Sequence, residues 1–299
     1  MANERGILSR MNSIRDTRKI TNAMYLISSN KLRKSKQMLE DTEPYFYALQ
    51  AVIQRILRHL PDIQHPYFAD SRNVEEKDRS RALLVITGDK GLAGAYNHNV
   101  LKAAHEWMEK GTNHHLYVVG ELGRQYFAAK KMPVEEQFHY TVQNPTMHRA
   151  RRISSVLMED YESGKIDEVS ILFTQMINSM QEEVQMKQLL PLKRESFQNI
   201  KIPVSMIQEE IQMVPSPQAV MDHIVPNYVT GFIYGALVES FCSEQNARVM
   251  AMKAASDNAS ALLSELSVQY NRVRQAAITQ EITEVVGGAK AQRKKEKTG

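Results

Sequence analysis

Cysteine is all but missing: Cys242 is the single thiol in 299 residues. That excludes an internal disulfide and any multi-cysteine zinc or iron–sulfur site. Aromatic residues are scarce at 7%, with one tryptophan against 16 methionines, a mixture that suits helix–helix packing better than an all-β sandwich. No apolar run approaches the ~20 residues needed to span a bilayer. The region from Glu4 and Arg5 to Asp16 has no apolar signal core, so neither a secretory nor a transit peptide is expected. A net charge of +4 lacks the strong basic excess of a nucleic-acid binder. What is present, 42% hydrophobic and 24% charged residues, is normal for a folded chain and excludes a wholly disordered one.

Glycine and proline are absent between Gly6 and Pro44 and again between Gly235 and Gly287. Stretches this long without breakers exceed ordinary globular helices and point to a coiled coil. In the C-terminal stretch Met252, Ala255, Ala259, Leu262, Leu266, Tyr270, Val273 and Ala277 follow steps of three and four, close to the seam spacing of a heptad. A helix from Pro217 to Val286 would be on the order of 100 Å long at ~1.5 Å per residue, with Pro226 bending its start. Ile7, Met11, Ile14, Ile20, Met24, Ile27, Leu32 and Leu39 give a looser N-terminal stripe with a basic opposite face. Neither helix is stable without a packed face, so the two chain ends are expected to pair antiparallel.

Between them, turn residues recur. The patterns predict strands at Arg81–Thr87, His115–Val119, Val169–Thr174 and Glu183–Leu190, and helices at Asn97–Lys110, Gly123–Lys131 and Met147–Ser163. Such alternation implies a mainly parallel sheet covered by helices. The fold class is therefore α/β: a long antiparallel coiled coil of N- and C-terminal helices plus a central Rossmann-like α/β domain. The expected divisions are a long helix and linker over 1–75, the α/β domain over 76–210, the C-terminal helix over 211–289 and a disordered basic tail over 290–299.

The sharpest local feature is Gly88-Asp-Lys-Gly-Leu-Ala-Gly-Ala-Tyr-Asn97, directly after the first strand. A Gly-rich strand-to-helix turn is where nucleotide-binding folds cradle phosphate. The spacing here is neither G-x-G-x-x-G nor G-x-x-x-x-G-K-[ST], which favours a structural turn. His114 and His115 are adjacent on a strand and face opposite ways, and no histidine pattern builds a metal site. Cys242 lies among Phe241, Val238 and Ala236, as a buried inert thiol would.

Three segments resemble the gamma subunit of F-type ATP synthases. They are Ile20-Thr-Asn-Ala-Met24 with the basic Lys31-Leu-Arg-Lys34, then the Gly88–Asn97 turn, then Met250–Asn258 followed by Tyr270–Glu284 and Gly288-Ala289. Ile278, Thr279, Glu281, Glu284, Gly288 and Ala289 fit each position of the family's terminal signature. Asn22 stands where many members have lysine, and Ala93 and Ala95 where many have glycine. The cysteine-bearing insert of chloroplast relatives is missing, which excludes redox control by a disulfide and, with no transit peptide, points to the bacterial type.

The resemblance implies a central-stalk rotor without an active site or cofactor. Its implied partners are the alpha, beta and epsilon subunits and the c-ring, with no nucleic acid, no direct nucleotide binding, and membrane association through the ring alone, at the cytoplasmic face of the cell membrane. Carried over by position, the alpha/beta contacts are Met24, Arg248, Arg274, Gln275, Thr279 and Glu281. The ring and epsilon contact falls on Gln212, Met213 and Val214, where relatives often place aromatic and acidic residues. Two other classes stay open on the residues alone: a dinucleotide-dependent enzyme, and a coiled-coil tether that dimerises through its long helices.

Overall fold

Two long helices form where breakers are absent. In the computed structural model, which describes residues 2–68, 78–111, 113–197 and 213–296, α1 is Ala2–His59 and passes through Pro44. Glu4 in its first turn and Arg58 and His59 in its last oppose the helix dipole favourably. Between them and the last helix stand β1 (Arg81–Ile86), α2 (Tyr96–Glu109), β2 (His114–Val119), α3 (Glu121–Ala129), α4 (Met147–Glu162), β3 (Glu168–Met176) and β4 (Glu182–Leu190). The last helix, α5, is Pro217–Glu296. Ser216 caps it by accepting from Ala219 N at 3.2 Å, and Pro217 fills the first helical position, where its missing N–H costs nothing. The helix runs past Ala289 through residues where a disordered tail is expected.

The chain divides into two compact units, residues 28–248 and residues 1–27 with 249–299. In the larger, the sheet order is β2-β1-β3-β4, with β1 parallel to both neighbours and β4 antiparallel to β3. Ala82 to Ile86 are fully buried, as a strand covered on both faces requires. Leu83, Val85, Leu116 and Val118 pack on one face with Val100 and Leu101 of α2 and Phe127 of α3. Leu84, Ile86, Tyr117 and Ile171 pack on the other with Ile153 and Leu157 of α4, Ile53 and Ile56 of α1, and Val229, Ile233 and Leu237 of α5. Here α1 and α5 run antiparallel. Ser35 lies beside Cys242, while farther along α1 Phe46 stacks on Tyr228 at 5.4 Å and meets Phe232 edge-on at 5.7 Å. Cys242 is fully buried.

In the smaller unit Arg18 donates to Ser260 at 3.4 Å. Met252, Ala259 and Leu266, seven residues apart, are buried on α5, and Met11 and Thr21 on α1. This seam corrects the expected one in part. Leu262 is exposed and Leu263 turns inward in its place; on α1, Ile20 and Ile27 face outward. Thr21 holds a buried position instead, and within the larger unit Ser28 and Ser35 do the same on α1. Their small side chains permit close helix approach, and Thr21 and Ser35 return their hydroxyls to the carbonyls of Arg18 and Leu32 at 3.0 and 2.9 Å, so burial leaves no donor wasted.

Candidate functional site: a turn gripped by the C-terminal helix

In an open α/β sheet, ligands bind beyond the strand C-termini at the switch point between oppositely wound halves. Here that point lies between β1 and β3, and α5 fills it. Thr174 N of β3 donates to Ser240 Oγ at 3.4 Å, and Ser243 Oγ donates to Thr174 O at 3.1 Å. After β1, Gly88 N donates to Asn97 Oδ1 at 2.7 Å. A Cβ on Gly88 would stand 3.1 Å from a Glu244 carboxylate oxygen and from Asn97 Oδ1, so a larger residue there would have to push these side chains back.

Arg248 closes the grip. Its Nη2 donates to Glu244 Oε1 at 2.6 Å and to the carbonyls of Lys90 and Gly91, each at 3.0 Å. Both members of this pair are almost wholly buried. Burial pushes the Glu244 carboxyl up from its ordinary range, and the Arg248 guanidinium pulls it back. Asp89 fastens the other side of the turn. One oxygen accepts from Glu121 N at the start of α3 at 3.0 Å; the other accepts from Val142 N and Gln143 N at 3.1 and 3.2 Å and from the Thr141 hydroxyl. A helix N-terminus of the kind that cradles phosphate in a nucleotide fold is thus occupied by the chain's own carboxylate.

The turn also displays something sequence reasoning passes over. Leu92 has φ 64°, a conformation disfavoured for a branched side chain, and its side chain is 63% exposed. The turn therefore holds an outward-facing leucine between the grips of Arg248 and Asp89.

The residues carried over from the resemblance fall into two environments. Arg248 is spent on the turn and does not reach the surface. Met24 is half-buried, and Arg274, Gln275, Thr279 and Glu281 are exposed on α5. Every residue from Ile278 to Lys290 is exposed, including Ile278, Ile282, Val285 and Val286. Their spacing lays an apolar stripe on one helix face, although no other part of the described chain covers it. At the other candidate contact, Met213 packs against the core of the larger unit and Val214 is 76% exposed; Gln212 lies outside the described residues. Among the described residues no cluster of His, Cys, Asp or Glu is arranged to hold a metal ion, and no helix is long and apolar enough to cross a membrane.

The sequence profile described as ATP synthase matches residues 3–292. The chain belongs to the ATP synthase gamma-chain family. It is 42% identical to the ATP synthase gamma chain of Caldanaerobacter subterraneus subsp. tengcongensis over 96% of this chain and 99% of that one. It is 37% identical to the sodium-ion-specific ATP synthase gamma chain of Acetobacterium woodii, over 97% and 98%. Among solved structures, it resembles a chain of the central stalk and c-ring of the Tetrahymena thermophila mitochondrial ATP synthase with TM-score 0.59 at 22% identity, covering 79% of this chain and 99% of that chain. A chain of the Euglena gracilis mitochondrial enzyme is similar with TM-score 0.55 at 15% identity, over 93% and 97%. These two likenesses show a shared fold alone.

Proposed function

We propose that this chain is the rotor subunit of an ATP synthase central stalk, carrying rotation between a membrane ion-driven ring and the catalytic subunits, with no active site of its own. The observation that carries the reading is the apolar stripe from Ile278 to Val286 on a helix segment exposed all round. A monomer gains nothing from such a stripe, and an enclosing collar of other subunits would bury it. The plugged switch point supports the absence of nucleotide binding, because Ser240, Ser243, Glu244 and Asp89 hold the positions a dinucleotide would need.

On this reading the alpha and beta subunits surround the end of α5, where Arg274, Gln275, Thr279 and Glu281 flank the apolar stripe, and they reach the half-buried Met24 farther along the helix pair. A rotor biases a catalytic subunit only by contacting its open and closed forms unequally. Moving a site from 1:99 to 99:1 takes about 5.5 kcal/mol, which two to four charge-assisted contacts at ~1.5–3 kcal/mol each supply. Arg248 acts from inside, fixing the Lys90–Gly91 turn and with it Leu92. Met213, Val214 and the preceding Gln212 form the contact with epsilon and the c-ring. Membrane association runs through that ring at the cytoplasmic face.

Adding the purified chain to membranes stripped of their gamma chain should restore ATP-driven ion pumping, and Ile282→Asp should restore far less. Membranes that stay uncoupled with the wild-type chain, or saturable NADH or ATP binding by the chain alone, would overturn the reading.

A further inference from the structure

A hollow of about 150 Å³ opens between α1, α5 and β3 within the larger unit. Three phenylalanines wall it: Phe46 from α1, Phe173 from β3 and Phe232 from α5. Phe232 meets the other two edge-on, with ring centroids 5.7 and 6.3 Å away. Two carboxylates, Glu43 and Glu239, complete the lining, and one Glu239 oxygen accepts from Met176 N at 2.9 Å. Burial holds the Glu239 carboxyl above its ordinary range; the Met176 N–H pulls it back, and the neighbouring Glu43 charge adds a smaller push upward. A cation placed between the two acids relieves the last of these effects.

The space exists because α5 carries glycine at 231 and 235. Both lie in a helix interior, where glycine is disfavoured relative to alanine. Packing does not demand either one: a Cβ on Gly231 would meet its neighbours at 3.7 Å or more, and one on Gly235 would meet nothing within 4 Å. The sequence thus keeps a void open beside aromatic rings and negative charge. Aromatic faces attract cations through their quadrupole, most strongly when the cation is poorly hydrated, and the volume fits a head group rather than a drug-sized molecule.

We propose that this hollow is a binding site for a small alkylammonium cation, held by the faces of Phe46, Phe173 and Phe232 and neutralised by Glu43 and Glu239. The site is independent of the rotor assignment.

Choline and its uncharged carbon isostere 3,3-dimethylbutan-1-ol are the probes, titrated into the full chain by calorimetry and saturation-transfer NMR. Choline should bind about tenfold or more tightly than the alcohol, the margin expected of a cation–π and carboxylate site. Glu239→Gln should weaken choline about tenfold while leaving the alcohol unchanged, and Gly235→Leu, which fills the void, should abolish both with helix content intact by circular dichroism. Equal affinity for the two probes, no measurable choline binding, or choline affinity left unchanged by either variant would overturn the proposal.

Discussion

Two parts of one helix, α5, carry apolar residues in opposite settings. From Met221 to Arg248 the chain itself supplies the cover, burying Val229, Ile233, Leu237 and even the polar Ser240, Ser243, Glu244 and Arg248. From Ile278 to Lys290 nothing in the described chain does, although isoleucine and valine recur there at helical spacing. Helix sequence alone does not tell the two apart. The first is a structural element of its own domain, and the second is a surface that the described chain leaves uncovered.

The contrast predicts unequal responses to substitution. Arg248→Ala should produce the largest loss, about 3–5 kcal/mol by urea unfolding of the full chain, because it strands the buried Glu244 carboxylate without its cation. Leu237→Ala should cost about 2–5 kcal/mol, as a fully buried leucine does. Ile282→Ala should shift unfolding by less than about 0.5 kcal/mol yet lower coupled ATP hydrolysis in reconstituted membranes. A destabilisation by Ile282→Ala as large as that of Leu237→Ala would erase the distinction.

Smaller effects sharpen it. Arg33 and Lys34 are exposed on α1 and suit an acidic partner surface, so charge reversal at both should reduce coupling at low ionic strength and matter less as salt rises. Unchanged coupling at low salt would remove that face from the interface. Last is Glu182→Gln. Burial holds the Glu182 carboxyl above its ordinary 4.5, so the folded state binds its proton more tightly than the unfolded state does. Its contribution to stability is complete below that value and is lost as pH rises through the raised one. Glu182→Gln should therefore raise stability at neutral pH, by less than about 1 kcal/mol, with the gain vanishing in acid.

The sheet and its helices were legible because strands buried on both faces read as unbroken apolar runs, and Ala82–Ile86 is one. The seam was legible in period but not in phase. Ile20 stands next to Thr21 and Leu262 next to Leu263, and hydropathy prefers isoleucine over threonine while being indifferent between two leucines. Only the pairing of the helices selects the small hydroxyl residues, whose polarity their own backbone absorbs. Arg248 was legible as a charged residue on a long helix, not as a clamp on a turn more than 150 residues earlier. A cue was present in the cluster of Ser240, Ser243, Asn246 and Arg248 on a helix otherwise rich in apolar residues: polar groups concentrated there need backbone partners, and Thr174, Ser179, Lys90 and Gly91 provide them. Leu92 left no trace in composition, because its meaning lies in a backbone angle.

Cys242, shut between the helices beside Ser35, makes this polypeptide unusually convenient to instrument. A maleimide dye directed to a cysteine newly placed on any outward position would meet no competing reactive sulfur, so single-molecule tracking needs no prior stripping of native thiols. The same shielding turns the native sulfur into a clock: its alkylation rate reports how often α1 and α5 part company, a breathing motion that no static picture records.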